Sequence, residues 1–109
     1  MIVDTTVVNM RNAPWDAAID RTSLFGNPFH IGKDGNRVEV LAKYRVYFYK
    51  RIDEDPEFKQ KVLALRGLRL GCHCAPLLCH GMTIAEYIEN YYAAREAVKQ
   101  PNFNPSFKS

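Results

Sequence analysis

A small α/β domain, with a short sheet covered by helices in the order β-β-α-α-β-α, is the fold this sequence predicts. Three observations carry the prediction. Short β-branched or apolar runs occur at Thr5–Met10 and Leu68–Cys72, and longer stretches with helical periodicity follow Asn36, Asp55 and Gly81. The two patterns alternate along one chain of 109 residues, which is the signature of helices layered on a sheet.

The length suits one domain with one core, predicted over residues 1–100, followed by a tail at 101–109. With 47% hydrophobic and 25% charged residues, the composition is that of a globular chain and not of a disordered or fibrous one. No apolar run approaches the roughly 20 residues of a membrane span, so no membrane partner is expected. Met1-Ile2-Val3-Asp4 has neither the basic region nor the apolar core of a signal peptide. The expectation is a cytoplasmic protein whose three cysteines stay reduced. The net charge of +3 is modest, and bases alternate with acids, as in Lys50-Arg51-Ile52-Asp53-Glu54-Asp55. That argues against a dedicated nucleic-acid binder and leaves room for a local anion site.

Thr5-Thr6-Val7-Val8-Asn9-Met10 reads as the first strand, and Arg11-Asn12-Ala13-Pro14 breaks it. Ala17-Ala18-Ile19-Asp20 is a weaker second strand, because alanine is a poor strand former, with Arg21 just beyond its end. A structured loop follows, Leu24-Phe25-Gly26-Asn27-Pro28-Phe29-His30-Ile31-Gly32. Gly26 and Gly32 permit positive φ, and Pro28 pushes Asn27 toward an extended conformation. Phe25, Phe29 and Ile31 are its apolar anchors. The loop is either an aromatic-plugged Ω-like connection or a ligand loop whose amides approach a phosphate; it lacks the spacing of a P-loop or dinucleotide fingerprint.

Asn36 and Glu39 match a capping box, so a helix should run from about Arg37 to Arg51. Val38, Leu41, Phe48 and Ile52 form its expected apolar stripe, with Tyr44 beside them. Arg45 interrupts the stripe, as a snorkelling side chain or as an arginine holding an anion. Asp55-Pro56-Glu57 starts a second helix, with Phe58, Val62 and Leu65 on its buried side and Gly67 as its C-terminal cap. Leu68, Leu70 and Cys72 share one face of the following strand. Thr83 and Glu86 form a second capping box, opening a helix to about Lys99 with Ile84, Tyr87, Ile88 and Tyr91 on one face. Pro101 stops it, and Phe103 and Phe107 could dock the tail.

Between that strand and that helix lies Gly71-Cys72-His73-Cys74-Ala75-Pro76-Leu77-Leu78-Cys79-His80-Gly81, which holds all three cysteines and two of the three histidines. Three chemistries fit. Cys72, Cys74, Cys79 and His80, with His73 or His30 as substitutes, could supply the four soft ligands that a tetrahedral zinc requires. One cysteine could instead be a reactive thiolate: Cys79 precedes a helix N-terminus, whose partial positive charge favours the thiolate, and His80 could move its proton. In the third account the cysteines fill core space and the histidines only hydrogen-bond.

The stretches Arg21-Thr22-Ser23-Leu24-Phe25-Gly26-Asn27-Pro28-Phe29, with Ile31-Gly32 and Arg37, and Gly71 to Gly81, resemble the domain-of-unknown-function family numbered 4326, small phage and bacterial proteins. The resemblance runs from about Thr6 to Tyr92. The family pattern often has an aromatic where this chain has His73, and an acid near Thr83. The resemblance implies a compact α/β fold and one site joining the Gly-Asn-Pro-Phe loop to the cysteine loop. It brings no reaction with it.

The sequence therefore points to a pocket between the two loops for a small anionic ligand, nucleotide-like or phosphorylated. Arg21, Arg37 or Arg45 would hold the anion, and Gly26 and Asn27 would position it. Cys72, Cys74, Cys79 and His80 would supply a metal site or, through Cys79 and His80, catalysis. The alternative is a zinc-stabilised module that binds nucleic acid or a partner protein.

Overall fold

The computed structural model describes residues 5–73 and 79–98. Its elements are β1 (Thr6–Asn9), β2 (Ala17–Ala18), α1 (Arg37–Glu54), α2 (Pro56–Leu63), β3 (Arg69–Cys72) and α3 (Gly81–Val98). The element order is the predicted one. The expectations for Met1–Asp4, Cys74, Lys99 and the tail at 101–109 lie outside the described residues.

The sheet has the order β1-β3-β2, and both edge strands run parallel to β3. Val7 and Ala17 flank Leu70 in register, as Val8 and Ala18 flank Gly71. Leu70 and Cys72 are buried on the core face. On the opposite face Met10 and Trp15 pack over Gly71, where a Cβ would come within 2.7 Å of Met10 Cγ.

Alanine propensity does not explain β2. The Asp16 and Ile19 N–H groups donate to the Arg69 and Gly71 carbonyls at 2.8 and 2.9 Å on either side of the alanine pair. The Asp16 carboxylate also accepts from the Arg69 backbone N–H (2.8 Å), Nε (3.0 Å) and Nη2 (2.9 Å). The Arg69 hydrogen bonds hold the Asp16 carboxyl down to about 2. A non-local fork thus fixes a strand that local preference would not.

Asn36 and Glu39 exchange both capping-box hydrogen bonds, at 2.9 and 2.8 Å. Helix α1 runs three residues past the expected Arg51 and ends at Asp55, whose N–H donates to Arg51 O while its side chain accepts from Phe58 N–H and caps α2. One residue closes the first helix and opens the next. Gly67 takes φ 77°, the left-handed conformation anticipated for it.

The buried residues of α1 are Val40, Tyr44, Phe48 and Ile52: Phe48 and Ile52 of the anticipated stripe are buried, with Tyr44 beside them, whereas Leu41 is half-buried and Val38 is 65% exposed. Val38 lies six positions before Tyr44, about 120° around the helix. The stripe follows Tyr44 and Phe48 because these two fill the centre. Phe48 meets Tyr44, Tyr49, Phe58 and Tyr87 at ring-centroid distances of 5.4–5.8 Å. Helix α3 starts at Gly81, two residues before the predicted cap at Thr83, whose N–H donates to His80 O at 3.0 Å. Glu86, the expected reciprocal partner, instead takes Arg45 at 2.6 Å. Gly81 is required by close approach, since a Cβ there would lie 2.7 Å from Ile19 Cδ1 and 3.1 Å from Val7. Ile84 and Ile88 are fully buried. Among the described residues no helix is long and apolar enough to cross a membrane.

The rotation of α1 is testable. Phe48→Ala should cost about 3–5 kcal/mol of unfolding free energy, as for other buried aromatics. Val38→Ala should cost less than about 0.5 kcal/mol. Urea denaturation of both variants checks this, and comparable losses would put the helix in a different rotation.

Candidate functional site

All three strands are parallel, so their carboxyl ends lie on one side of the sheet, where open α/β sheets place ligand crevices. A cavity of about 290 Å³ opens there. Its walls come from the segment after β2 (Asp20, Arg21, Thr22), the loop residues Asn27 and Ile31, the first turns of α1 (Arg37, Val40, Leu41), the end of β3 (Cys72, His73) and the residues leading into α3 (Cys79, His80).

The Gly-Asn-Pro-Phe loop is tied down by backbone capture. Arg21 donates from Nη1 to Asn27 O at 2.5 Å and from Nη2 to Phe29 O at 2.9 Å. Asn27 is buried, and its side-chain oxygen accepts from Phe29 N–H at 2.9 Å, bridging Pro28. Tyr44 donates its hydroxyl to Phe25 O at 3.0 Å. Burial raises the Tyr44 phenol well above its ordinary pKa, so it remains a donor. Gly26 does not take the positive φ anticipated; Gly32 does, at 98°. Gly26 is needed for space, because a Cβ would sit 2.6 Å from Asp20 O and 2.8 Å from Arg21 Cα. Phe25 packs on the core and Phe29 meets Tyr47 edge-on, whereas Ile31, expected as a third anchor, is about half exposed at the cavity rim.

On the opposite wall, Cys72 Sγ and Cys79 Sγ lie 3.2 Å apart, both buried. The chain turns into α3 at His80, so the imidazole folds back and places Nδ1 3.6 Å from Cys79 Sγ. The other ring nitrogen, Nε2, lies 2.5 Å from Ile19 O. A carbonyl can only accept, so Nε2 carries a proton. Desolvation by burial holds His80 below its ordinary pKa, leaving the neutral ring with Nδ1 as an acceptor. Tyr44 packs edge-on against this ring at 5.1 Å. Gly81 N–H donates to Cys79 Sγ at 3.4 Å. The Cys79 thiol therefore sits among a second sulfur, a peptide N–H and an imidazole nitrogen.

Arg21, Asn27, Arg37, Cys72, Cys79 and His80, read from sequence as site residues, line the same cavity; Gly26 is not among its lining residues, and neither is Arg45. It lies on the outer side of α1, paired with Glu86 and stacked on Tyr49 at 5.2 Å. The 2.6 Å ion pair raises its pKa further. Cys74, the remaining thiolate of the zinc reading, lies outside the described residues, and among those residues no group of three or more His, Cys, Asp or Glu could hold a metal ion.

Sequence reasoning missed Asp20 and gave His73 little weight. Asp20 accepts from Thr22 Oγ1 at 2.6 Å and pairs with His73 Nε2 at 3.3 Å. The Thr22 hydrogen bond, more than His73, lowers its carboxyl pKa, so Asp20 is an anion at the cavity edge. Its position beside Arg21-Thr22 was the available signal. The Ile19 carbonyl that orients His80 is backbone and carries no side-chain signal.

A neutral buried His80 sets a pH dependence. The unfolded chain gains a proton near pH 6.5, while the folded chain resists it. The stability contribution is complete above pH 6.5 and is lost as the pH falls through the lower folded value. Titration of the imidazole by NMR should place its midpoint below 6.5, and unfolding free energy should fall as the pH drops below that value. A midpoint at or above the ordinary value would contradict the buried, carbonyl-anchored ring.

No solved structure matches the chain. An uncharacterised 12.4 kDa protein of the nrdA-td intergenic region of Enterobacteria phage T4 is 36% identical over 87 residues, which is 79% of each chain. A family model matches residues 5–90 and so takes in both cavity-forming loops. The chain belongs to that family, the domain of unknown function DUF4326.

Proposed function

We propose that the cavity binds a small phosphorylated or nucleotide-like anion. One observation carries the reading: two arginines, Arg21 and Arg37, face the same cavity as the Cys72–Cys79–His80 cluster, at the carboxyl ends of a parallel sheet. Arg37 is the first residue of α1 and Cys79 and His80 lead into α3, so two helix N-termini direct partial positive charge at the space. Asp20 opposes them with a single negative charge, leaving the wall net cationic. Two of the five N–H groups of Arg21 hold the loop, which fixes its guanidinium plane before a ligand arrives. Val40 and Leu41 give an apolar surface for a ring or sugar edge. A volume of about 290 Å³ is at the small end for ligand pockets and suits one mononucleotide better than a polymer segment. The 3.6 Å separation of His80 Nδ1 from Cys79 Sγ in the same site supports a role for this pair in any processing of the ligand.

The alternative, a zinc-stabilised module for nucleic acid or a partner protein, calls for exposed aromatics near basic residues and for no small-molecule pocket. Tyr49, Tyr91 and Tyr92 do lie beside Arg45, Lys59, Arg95 and Arg66. The cavity of about 290 Å³ favours the small-anion reading.

Calorimetric titration with inorganic phosphate, nucleoside 5′-monophosphates and the unphosphorylated nucleosides tests it. The phosphorylated compounds should bind and the nucleosides should not. Arg37→Gln should weaken binding about tenfold, the scale of one charge-assisted contact, and Arg45→Gln should leave it unchanged. No binding of any phosphorylated compound at millimolar concentration, with one zinc per chain and salt-dependent binding of RNA or DNA, would replace this reading with the alternative.

A further inference from the structure

We propose that Cys72 and Cys79 are a redox dithiol that closes into a disulfide by exchange with a low-molecular-weight disulfide entering the cavity. The two sulfurs belong to different segments, the end of β3 and the lead into α3, and lie 3.2 Å apart. A disulfide requires about 2.05 Å between sulfurs, so the bond needs a further approach of two sulfurs already in contact. Both thiols line the cavity, so an incoming disulfide has a route to them. Cysteines that only fill space need no polar partners. Cys79 has, among the described residues, Cys72 Sγ, Gly81 N–H at 3.4 Å and His80 Nδ1 at 3.6 Å.

These surroundings assign the two roles. Cys79 is the attacking sulfur, because the peptide N–H of Gly81 stabilises charge on it and the imidazole nitrogen accepts its proton. Its sulfur bonds to one sulfur of the small disulfide. The other sulfur leaves with the bonding electron pair and takes from His80 the proton that Cys79 gave up, so it departs as a thiol and the ring returns to its neutral form. Cys72 Sγ then attacks Cys79 Sγ, forming the intramolecular disulfide and releasing the second small thiol, which takes the Cys72 proton. Two protein thiols are oxidised, one small disulfide is reduced to two thiols, and the two protons move with the leaving sulfurs. The inference is independent of whether the cavity holds an anion.

The test uses the full chain carrying Cys74→Ser, so that an intramolecular disulfide can join only Cys72 and Cys79. After exposure to glutathione disulfide without oxygen, intact mass should show the loss of two hydrogens and no titratable thiol, both reversed by dithiothreitol. Adding Cys72→Ser should trap one glutathione on Cys79. If Cys74→Ser does not fold, the wild-type chain is oxidised in the same way and cleaved after Leu77 and Leu78, and the crosslinked peptides are sequenced by fragmentation. A Cys72–Cys79 link supports the proposal. Thiols that stay unreacted, a persistent unresolved glutathione adduct with Cys72 present, a link through Cys74, or one bound zinc per chain that shields both thiols would each overturn it.

Discussion

The hydrogen bond from His80 Nε2 to the Ile19 carbonyl is the constraint on which the site depends. It joins the segment after β2 to the start of α3 across 61 residues of sequence. It also fixes which ring nitrogen is protonated, and so determines that an acceptor faces Cys79. The ring is desolvated against Tyr44, so a charged imidazole is disfavoured and the arrangement holds a single tautomer. Gly81 is part of the same constraint. Only a residue without a Cβ lets α3 approach Ile19 and Val7 closely enough for the preceding histidine to reach the carbonyl.

Much of the fold was legible because its determinants are local. The capping box at Asn36 and Glu39, the Asp55-Pro56 start and the left-handed Gly67 each act within a few residues. Where the reading slipped, a distant partner decided the outcome. Strand β2 exists through the Asp16–Arg69 fork, 53 residues apart. The Thr83–Glu86 box was plausible locally, but Glu86 is drawn to Arg45 on the neighbouring helix. The phase of α1 follows the aromatic cluster around Phe48, which brings together α1, α2 and α3. That cluster also explains Arg45, since a helix turned to bury Tyr44 and Phe48 carries Arg45 away from the cavity.

The gathering of the candidate residues was legible for a different reason. Cysteine and histidine are rare enough that their crowding between a strand and a helix is itself a signal, and the arginines flanking the Gly-Asn-Pro-Phe loop added a second. What composition could not supply was orientation. Cys79 and His80 are adjacent, and in an extended chain their side chains would diverge; the turn into α3 makes them converge. Asp20 was hidden because a lone carboxylate at a strand end is ordinary until its neighbours, Thr22 and His73, are seen.

Arg21 couples the two halves of the cavity. Its guanidinium holds the carbonyls of Asn27 and Phe29, while its backbone Cα limits the space at Gly26. Two residues before it lies the Ile19 carbonyl that anchors His80. A displacement of this short segment would therefore move the loop on one wall and the imidazole on the other. The Asp20 carboxylate, fixed by Thr22 at the centre of the segment, lies beside both. The loop on one wall and the imidazole on the other are thus held by three consecutive residues, Ile19-Asp20-Arg21.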